Sequence, residues 1–284
     1  MWKKIVILLE MIKFEHTVFA MPFALMGAFL AQRGIPALYT FFWVIVAMVG
    51  ARTCAMGFNR IVDRRFDAAN PRTADRALPA GQVSLSASWV MVILAGALFF
   101  FACFMLNSLA LTIAPFALGL TLFYSLTKRF TWLCHLVLGV ALAFSPLGGW
   151  IAVAANFDAY PWALSLGVLF WVAGFDCIYA CLDTDFDRKT GLFSMPAIFG
   201  RRNSFRIAVI FHVLAFLLFT LVGLQMKLNF WYYSGIAVTG FALFYQHLIV
   251  HPRDLSRIQQ SFFSMNGLIA LTLFFATWLS LATG

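Results

Sequence analysis

Charged residues are scarce in this sequence. Asp, Glu, Lys and Arg make up 11% of its 284 residues, whereas hydrophobic residues make up 63%, which is far from the composition of soluble globular domains. A soluble fold would have to bury more apolar surface than a chain of this length can hide. The composition therefore excludes an ordinary soluble domain and predicts a protein that lies in a lipid bilayer.

The cysteines lack the spacing of metal or redox sites. There are five of them, and most fall within apolar stretches where no paired ligand motif occurs. We interpret them as small, reduced packing residues. They are Cys54, Cys103, Cys134, Cys177 and Cys181.

Apolar segments of about 20 residues recur along the whole chain, and each is long enough to cross the hydrocarbon core of a bilayer. We predict nine membrane-spanning helices. Their approximate ranges are 14–32, 37–58, 85–107, 108–126, 133–155, 162–182, 207–226, 229–250 and 261–282. Because no linker or low-complexity segment divides the chain, residues 1–284 are predicted to form one all-α transmembrane domain.

The basic residues lie mostly on one side of the predicted bundle. The net charge is +9, but only Arg33 and Lys227 fall in connections on the second side. Positive charge is retained in the cytoplasm, so we expect the N-terminus and the even-numbered connections to face it. This distribution favours a multi-pass protein of a bacterial-type inner membrane and gives no indication of a nucleic-acid partner.

Most of the few acidic residues gather in two of these cytoplasmic connections. Residues four apart share one face of a helix, so two matched triplets are predicted to form polar stripes where spans two and six leave the membrane. The triplets are Asn59–Asp63–Asp67 and Tyr179–Asp183–Asp187. Their constant offset suggests an internal repeat in which spans one to four match spans five to eight, with a ninth helix appended.

Two facing stripes of carboxylates would repel each other unless cations lay between them. Mg²⁺ binds a few carboxylates together with water and substrate phosphate oxygens. The stripes therefore predict a bridge of carboxylates, Mg²⁺ and diphosphate at the membrane surface. The alternative is a set of solvated loop charges that neighbouring arginines neutralise.

Several basic residues fit this prediction. Arg72, Arg76 and Lys128 lie on the same side as the stripes, and guanidinium groups match phosphate geometry, although the positive-inside bias explains some of them. Arg52 lies within span two, close to the helical face of Asn59. A charge inside a span is a functional candidate, and Arg52 either receives a substrate anion or pairs with a buried acid.

Two segments carry a family resemblance. NRIVDRRFDAANPRTADRALPAG (59–81) and YACLDTDFDRKTGLFSMPAIFG (179–200) resemble the two signature regions of the UbiA superfamily of intramembrane prenyltransferases. The family's first motif is usually Asn-Asp-x-x-Asp-x-x-x-Asp, from which Arg60 departs at the second position. The second motif is matched in full, with Asp176 three residues before its tyrosine. YSLTKR (124–129) resembles a further family segment.

The resemblance implies a nine-helix bundle that transfers a polyprenyl chain from its diphosphate to an acceptor, commonly an aromatic ring, with Mg²⁺ as cofactor. The implied partners are a polyprenyl diphosphate, an aromatic acid and membrane lipid. IKFEHTVFAMPFAL near the N-terminus, the Asn59–Arg60 pair and the SMP triplet at 194–196 resemble the menaquinone-type branch. That branch is associated with a hydroxynaphthoate acceptor and is often labelled with the 4-hydroxybenzoate prenyltransferases of quinone biosynthesis.

The motif positions give the candidate site. Asp63, Asp67, Asp183 and Asp187 are the predicted catalytic residues and, with Asn59 and Asp176, the predicted metal ligands. The diphosphate is assigned to Asn59, Arg60, Arg72, Arg76, Lys128 and Tyr179. The aromatic acid is assigned to Arg52, Arg129 and Tyr124, with Lys13 as a weaker candidate. Either Asp185 or Asp176 supplies the oxygen missing at Arg60, or Arg60 holds the diphosphate itself.

Two other classes of membrane protein are alternatives. A transporter is one, but transporter sites lie near the bilayer midplane, whereas these acids cluster at one surface. A phosphotransferase that joins alcohols to nucleotide-activated lipids is the other. Its motif requires an Asp-Gly pair, which this sequence does not contain.

Overall fold

The computed structural model describes residues 17–284, with side chains from Phe19 onward. Lys13 lies outside the described residues, as does the start of the first predicted span. Within the described range all regular secondary structure is helical, apart from one isolated bridge between His251 and Asp254. Seven helical segments are long and apolar enough to cross a membrane, and Phe19–Gln32 is a shorter apolar helix. The prediction of an all-α membrane fold is confirmed.

Each predicted span corresponds to one helix. In chain order the helices are α1 (Thr17–Gln32), α2 (Leu38–Ala69), α3 (Leu85–Leu106), α4 (Ser108–Thr127), α5 (Cys134–Ala154), α6 (Trp162–Tyr179), α7 (Thr184–Thr190), α8 (Met195–Gln225), α9 (Phe230–Ile249) and α10 (Asn266–Ala282). A 3₁₀ turn, Ala180–Asp183, joins α6 to α7. A three-residue helical turn and a π-helical turn, Ser261–Met265, lead into α10.

Two helices extend beyond their predicted ends. α2 continues to Ala69, so the first motif lies on an unbroken helix. α8 begins at Met195, far ahead of the predicted residue 207, because Ser194 caps it and Pro196 occupies its first turn. It breaks at Gly200, where φ is 80°. Hydropathy marks only continuous apolar stretches, and charged residues interrupt both extensions.

The two acidic motifs differ in the secondary structure of their backbone. The first lies on α2 alone, whereas the second crosses from α6 through the 3₁₀ turn into α7. The four-helix repeat suggested by the matched spacing stays a prediction.

The helices pack closely where small residues face each other. A Cβ atom on Gly27 would overlap the Pro146 carbonyl, and one on Gly149 would overlap the Ala24 carbonyl. The Ser145 hydroxyl also donates a hydrogen bond to the Ala20 carbonyl, at 2.7 Å. Small residues allow the backbones of membrane helices to approach in this way. α1 and α5 therefore form a tight pair.

Two buried clusters lie in different parts of the bundle. One surrounds Trp171 of α6, whose ring centroid is 5.1 Å from that of Phe23 and whose indole N–H donates to Asn266 Oδ1 at 3.1 Å. The other joins α2, α3 and α4 through residues such as Phe99 and Leu118. All five cysteines are buried and free, as expected for packing residues.

Candidate active site

The polar ends of α2, α4, α6 and α7 surround one cavity of about 790 Å³. Apart from Asp185, every candidate site residue that falls within the described chain lines it. These residues are Arg52, Asn59, Arg60, Asp63, Asp67, Arg72, Arg76, Tyr124, Lys128, Arg129, Asp176, Tyr179, Asp183 and Asp187. The fold therefore brings two motifs that are distant in sequence to the same space.

The helical stripe predicted for the first motif is present on α2. Asn59 Nδ2 donates to Asp63 Oδ2 at 2.9 Å, the contact expected for residues four apart. Asp67, one turn further on, is buried. The Thr73 hydroxyl donates to the Asp67 backbone carbonyl at 3.0 Å, and this contact turns the chain back over the cavity after α2 ends.

Asp183 binds to the connection that follows the first motif. Arg72 donates from Nε to Asp183 Oδ1 at 2.9 Å and from Nη2 to Oδ2 at 2.6 Å. Asn70 Nδ2 adds a third hydrogen bond, at 2.9 Å. A paired guanidinium–carboxylate contact of this kind is strong and directional. It fixes the connection between α2 and α3 to the end of α6.

The other three motif carboxylates also form ion pairs. Arg76 Nη1 lies 2.6 Å from Asp67 Oδ1. Lys128 Nζ lies 2.8 Å from Asp187 Oδ1, and Arg129 Nη2 lies 3.2 Å from Asp63 Oδ1. Each carboxylate of the two motifs thus has one cationic partner.

Two of the basic side chains outside the spanning segments, Arg72 and Lys128, have raised pKa values. Burial disfavours the charged forms of Arg72 and Lys128, but the Asp183 and Asp187 carboxylates outweigh it and raise both pKa values. Both side chains are therefore cationic at neutral pH, and they can bind an anion such as a diphosphate.

The donor set fits Mg²⁺. The four motif carboxylates are hard oxygen ligands, and Asp67 Oδ2 is buried with no hydrogen-bond partner among the described residues. Among the described residues, no three or more His, Cys, Asp or Glu side chains are close enough together to bind a metal ion by themselves. Mg²⁺ does not require such a group, because it usually binds one or two carboxylates together with water and substrate phosphates.

Arg60 departs from the family's first motif, and the structure shows where it and the two acidic residues considered as replacements lie. Arg60 is 7% exposed and lines the cavity. Asp185 lies outside the cavity lining, is 74% exposed and pairs with Arg201 at 2.9 Å. The structure thus does not bring Asp185 to the place of the missing carboxylate. Asp176 does line the cavity, where it contacts His135.

The aromatic-acid candidates separate into two groups. Arg129 donates to the Val62 carbonyl at 2.7 Å as well as to Asp63, so it fastens the end of α4 to α2. Arg52 and Tyr124 lie deeper. Arg52 lines both the polar cavity and a neighbouring apolar cavity of about 160 Å³, so it marks the junction between the two spaces.

Three residues of the site were missed by sequence reasoning. Asn70 donates to Asp183, Ser194 donates to Asp187 Oδ2 at 2.8 Å, and His135 contacts Asp176 at 2.7 Å. Each makes its contact across a long loop or between helices, where spacing gives no signal. Only the SMP triplet, which contains Ser194, had drawn attention to one of them.

The sequence profile described as the UbiA prenyltransferase family matches residues 20–279. A protein named 4-hydroxybenzoate octaprenyltransferase from Pectobacterium carotovorum is 32% identical over 81% of this chain and 80% of its own length. The solved apo structure of a UbiA homologue from Aeropyrum pernix superposes with a TM-score of 0.86, at 32% identity, over 92% of this chain and 96% of that one.

A second solved structure shares the fold at lower identity. A UbiA homologue from Archaeoglobus fulgidus, bound to DMAPP and Mg²⁺, superposes with a TM-score of 0.75 at 18% identity, over 98% of this chain and 99% of that one.

The paired charges predict a ligand-dependent gain in stability. Mg²⁺ with inorganic diphosphate should raise the unfolding temperature of the purified protein, because ligands that bind only the folded state stabilise it, by about 2.7 kcal/mol at a hundredfold excess over Kd. Asp63→Asn and Asp183→Asn should each abolish the gain. Asp185→Asn is the matched control and should keep it. Equal gains in all four proteins, measured by thermal denaturation in detergent, would contradict a site at these carboxylates.

Proposed function

The chain belongs to the UbiA prenyltransferase family, and on that premise we propose that it transfers a polyprenyl group to an aromatic acid, 4-hydroxybenzoate or a hydroxynaphthoate, in quinone biosynthesis. The observation that carries the proposal is the meeting of both acidic motifs, each with its cations, in one cavity that adjoins an apolar space. The relatives named as 4-hydroxybenzoate octaprenyltransferases support the choice of acceptor.

We assign Mg²⁺ to Asp63, Asp67, Asp183 and Asp187, with Asn59 as a further oxygen ligand. The cation, when bound, stabilises the negative charge of the departing diphosphate. The Archaeoglobus fulgidus homologue with DMAPP and Mg²⁺ supports this assignment. Asp176 belongs less well with these ligands, since one of its oxygens already contacts His135.

The cations of the cavity bind the diphosphate in this proposal. Arg72, Arg76 and Lys128 each hold a motif carboxylate, and the same N–H groups match phosphate oxygens. Arg60 lines the cavity beside them, and the Tyr179 hydroxyl lies 3.4 Å from Arg72 Nη1. When a metal neutralises the carboxylates, these donors are available to the leaving group.

The isoprenoid chain of the proposed prenyl diphosphate needs apolar surroundings. The space beyond Arg52 is lined mainly by Ala, Leu, Ile and Phe side chains, which suits an isoprenoid chain. Because a carboxylate buried without a partner is costly, Arg52 at the junction of the two cavities is the residue that we assign to the carboxylate of the acceptor. Tyr124 lines the same part of the polar cavity.

The two alternative classes are not supported. The family match spans residues 20–279, and the relatives are named as prenyltransferases rather than as transporters or phosphotransferases. We propose that the whole chain acts as one prenyltransferase domain.

We also propose that the motif end of the bundle faces the cytoplasm, on the strength of the basic residues around it. Ala80→Cys and Gly284→Cys place thiols in exposed positions that are separated by seven spans in the predicted nine-span topology, and the native cysteines are buried. An impermeant thiol reagent added outside intact cells should label Gly284→Cys alone. Labelling of Ala80→Cys under the same conditions would show that the motif end faces the outside and would contradict the proposed orientation.

Activity should depend on both motifs and on Mg²⁺. In membranes supplied with labelled polyprenyl diphosphates and a panel of aromatic acids, Asp63→Ala and Asp183→Ala should each lower turnover about 100-fold or more, since each removes charge stabilisation of the leaving group. Asp185→Ala is the control and should turn over normally. Near-normal product formation in the first two variants, or undiminished activity in EDTA, would refute the metal-bridge mechanism.

Arg52 should discriminate between the two substrates. Arg52→Gln is expected to raise the KM for the aromatic acid about tenfold or more, because hydrogen bonds to charged groups contribute about 1.5–3 kcal/mol, and to leave the KM for the prenyl diphosphate unchanged. Arg129→Gln, whose side chain fastens α4 to α2, is the comparison and should not affect the acid selectively. Equal losses for both substrates in Arg52→Gln would move this residue to the diphosphate.

A further inference from the structure

His135 is a buried residue to which the proposed mechanism gives no role. It lies in the first turn of α5 and is 2% exposed. Its Nδ1 is 2.7 Å from Asp176 Oδ2 on α6. Its Nε2 accepts a hydrogen bond from the backbone N–H of Met195, at 3.3 Å, at the start of α8. One imidazole thus connects three helices beside the cavity.

These two contacts assign the tautomer. A backbone N–H can only donate, so Nε2 is the acceptor and carries no proton. The ring proton is then on Nδ1, which donates to Asp176 Oδ2. Asp176 accepts this bond as a carboxylate, and Oδ1 makes no hydrogen bond to any of the described residues. Asp176 lines the cavity with its side chain 18% exposed, so an acceptor oxygen is left for a ligand.

The depth of Asp176 suggests which ligand group it meets. Asp176 lies seven residues before Asp183, three of them in α6 and four in the 3₁₀ turn, which is a rise of about 12 Å. Arg52 lies eleven residues, about 16 Å, before Asp63 on α2. Asp176 is therefore closer to its motif aspartate than Arg52 is to its own. Because the diphosphate is an anion and the prenyl chain has no hydrogen-bond donor, the hydroxyl of the acceptor is the group that a carboxylate here would bind.

We propose that His135 is a positioning residue that holds Asp176 as the acceptor for the hydroxyl group of the aromatic substrate. This inference rests on the proposed function and on the assignment of Arg52 to the carboxylate. With the carboxylate deep and the hydroxyl nearer the metal ligands, the ring carbon next to the hydroxyl faces the diphosphate end of the prenyl group. Loss of His135 would free Asp176 to turn without changing the metal ligands.

The test compares two ligands that differ only in the hydroxyl. Binding of 4-hydroxybenzoate and of benzoate to the purified protein is measured by calorimetry, with Mg²⁺ and a non-reacting thiodiphosphate analogue present. A hydroxynaphthoate and its deoxy counterpart replace them if that is the acid that the wild-type protein prenylates. A site that binds a hydroxyl through a carboxylate should prefer the hydroxy acid by about tenfold to a hundredfold.

The variants separate positioning from general stability. His135→Leu should reduce the preference for the hydroxy acid to about twofold or less and leave the KM for the prenyl diphosphate unchanged. His135→Gln should restore most of the preference, because its amide supplies one donor and one acceptor. His135→Met, of similar volume, replaces the leucine variant if that protein does not fold.

Two results would overturn the inference: a full preference for the hydroxy acid in the apolar variant, or no preference in the wild-type protein. A wild-type protein that prenylates no aromatic acid would instead overturn the proposed function, and this inference with it. Unchanged preference in the variant of an active enzyme would overturn this inference alone.

Discussion

The structure at the motif end depends on the pairing of carboxylates with cations in a largely buried cavity. An unpaired charge there would be costly, and each motif aspartate has a basic partner within 3.2 Å. Three of these pairs join different parts of the fold. Arg72 connects the segment after α2 to the end of α6, Lys128 connects the end of α4 to α7, and Arg129 connects the end of α4 to α2. The charges therefore position the helices as well as the site.

The same pairs prepare the site for its ligands. The proposed substrate, a prenyl diphosphate with Mg²⁺, would bring a divalent cation and a diphosphate, and the protein presents the complementary charges already in place. Carboxylates can exchange their arginine or lysine partners for the metal, while the basic groups exchange carboxylate oxygens for phosphate oxygens. Because each motif aspartate and its cation would have a partner before and after this exchange, none of these charges need be left unpaired in the cavity.

Much of this arrangement could be predicted from local spacing. The four-residue interval at 59–67 indicated which side chains share a face of α2, and the motif residues of both segments line one cavity. The interval at 179–187 did not reveal that the backbone passes through a 3₁₀ turn there. Contacts between distant segments could not be predicted in this way. Asn70 caps the end of α2 and reaches Asp183, a residue 113 positions further along the chain. The early start of α8 was hidden because Arg201, Arg202 and Arg206 interrupt the apolar pattern, whereas the Ser194 cap marks the true start.

The polarity of the cavities matches that of the proposed prenyl donor along one axis. The charged side chains of the polar cavity lie at the ends of α2, α4, α6 and α7 and in the connection after α2, whereas Arg52 lines both this cavity and the apolar one. A prenyl diphosphate has the same order, with a charged head and an oily chain, so its position along the axis is set by partition before any specific contact forms. The proposed acceptor is different because it is small and carries polar groups at both ends of its ring. Partition cannot orient such a molecule, and only fixed partners at two depths can. In the proposed site these partners are Arg52 on α2 and Asp176 on α6, and Asp176 is itself held by its contact with His135.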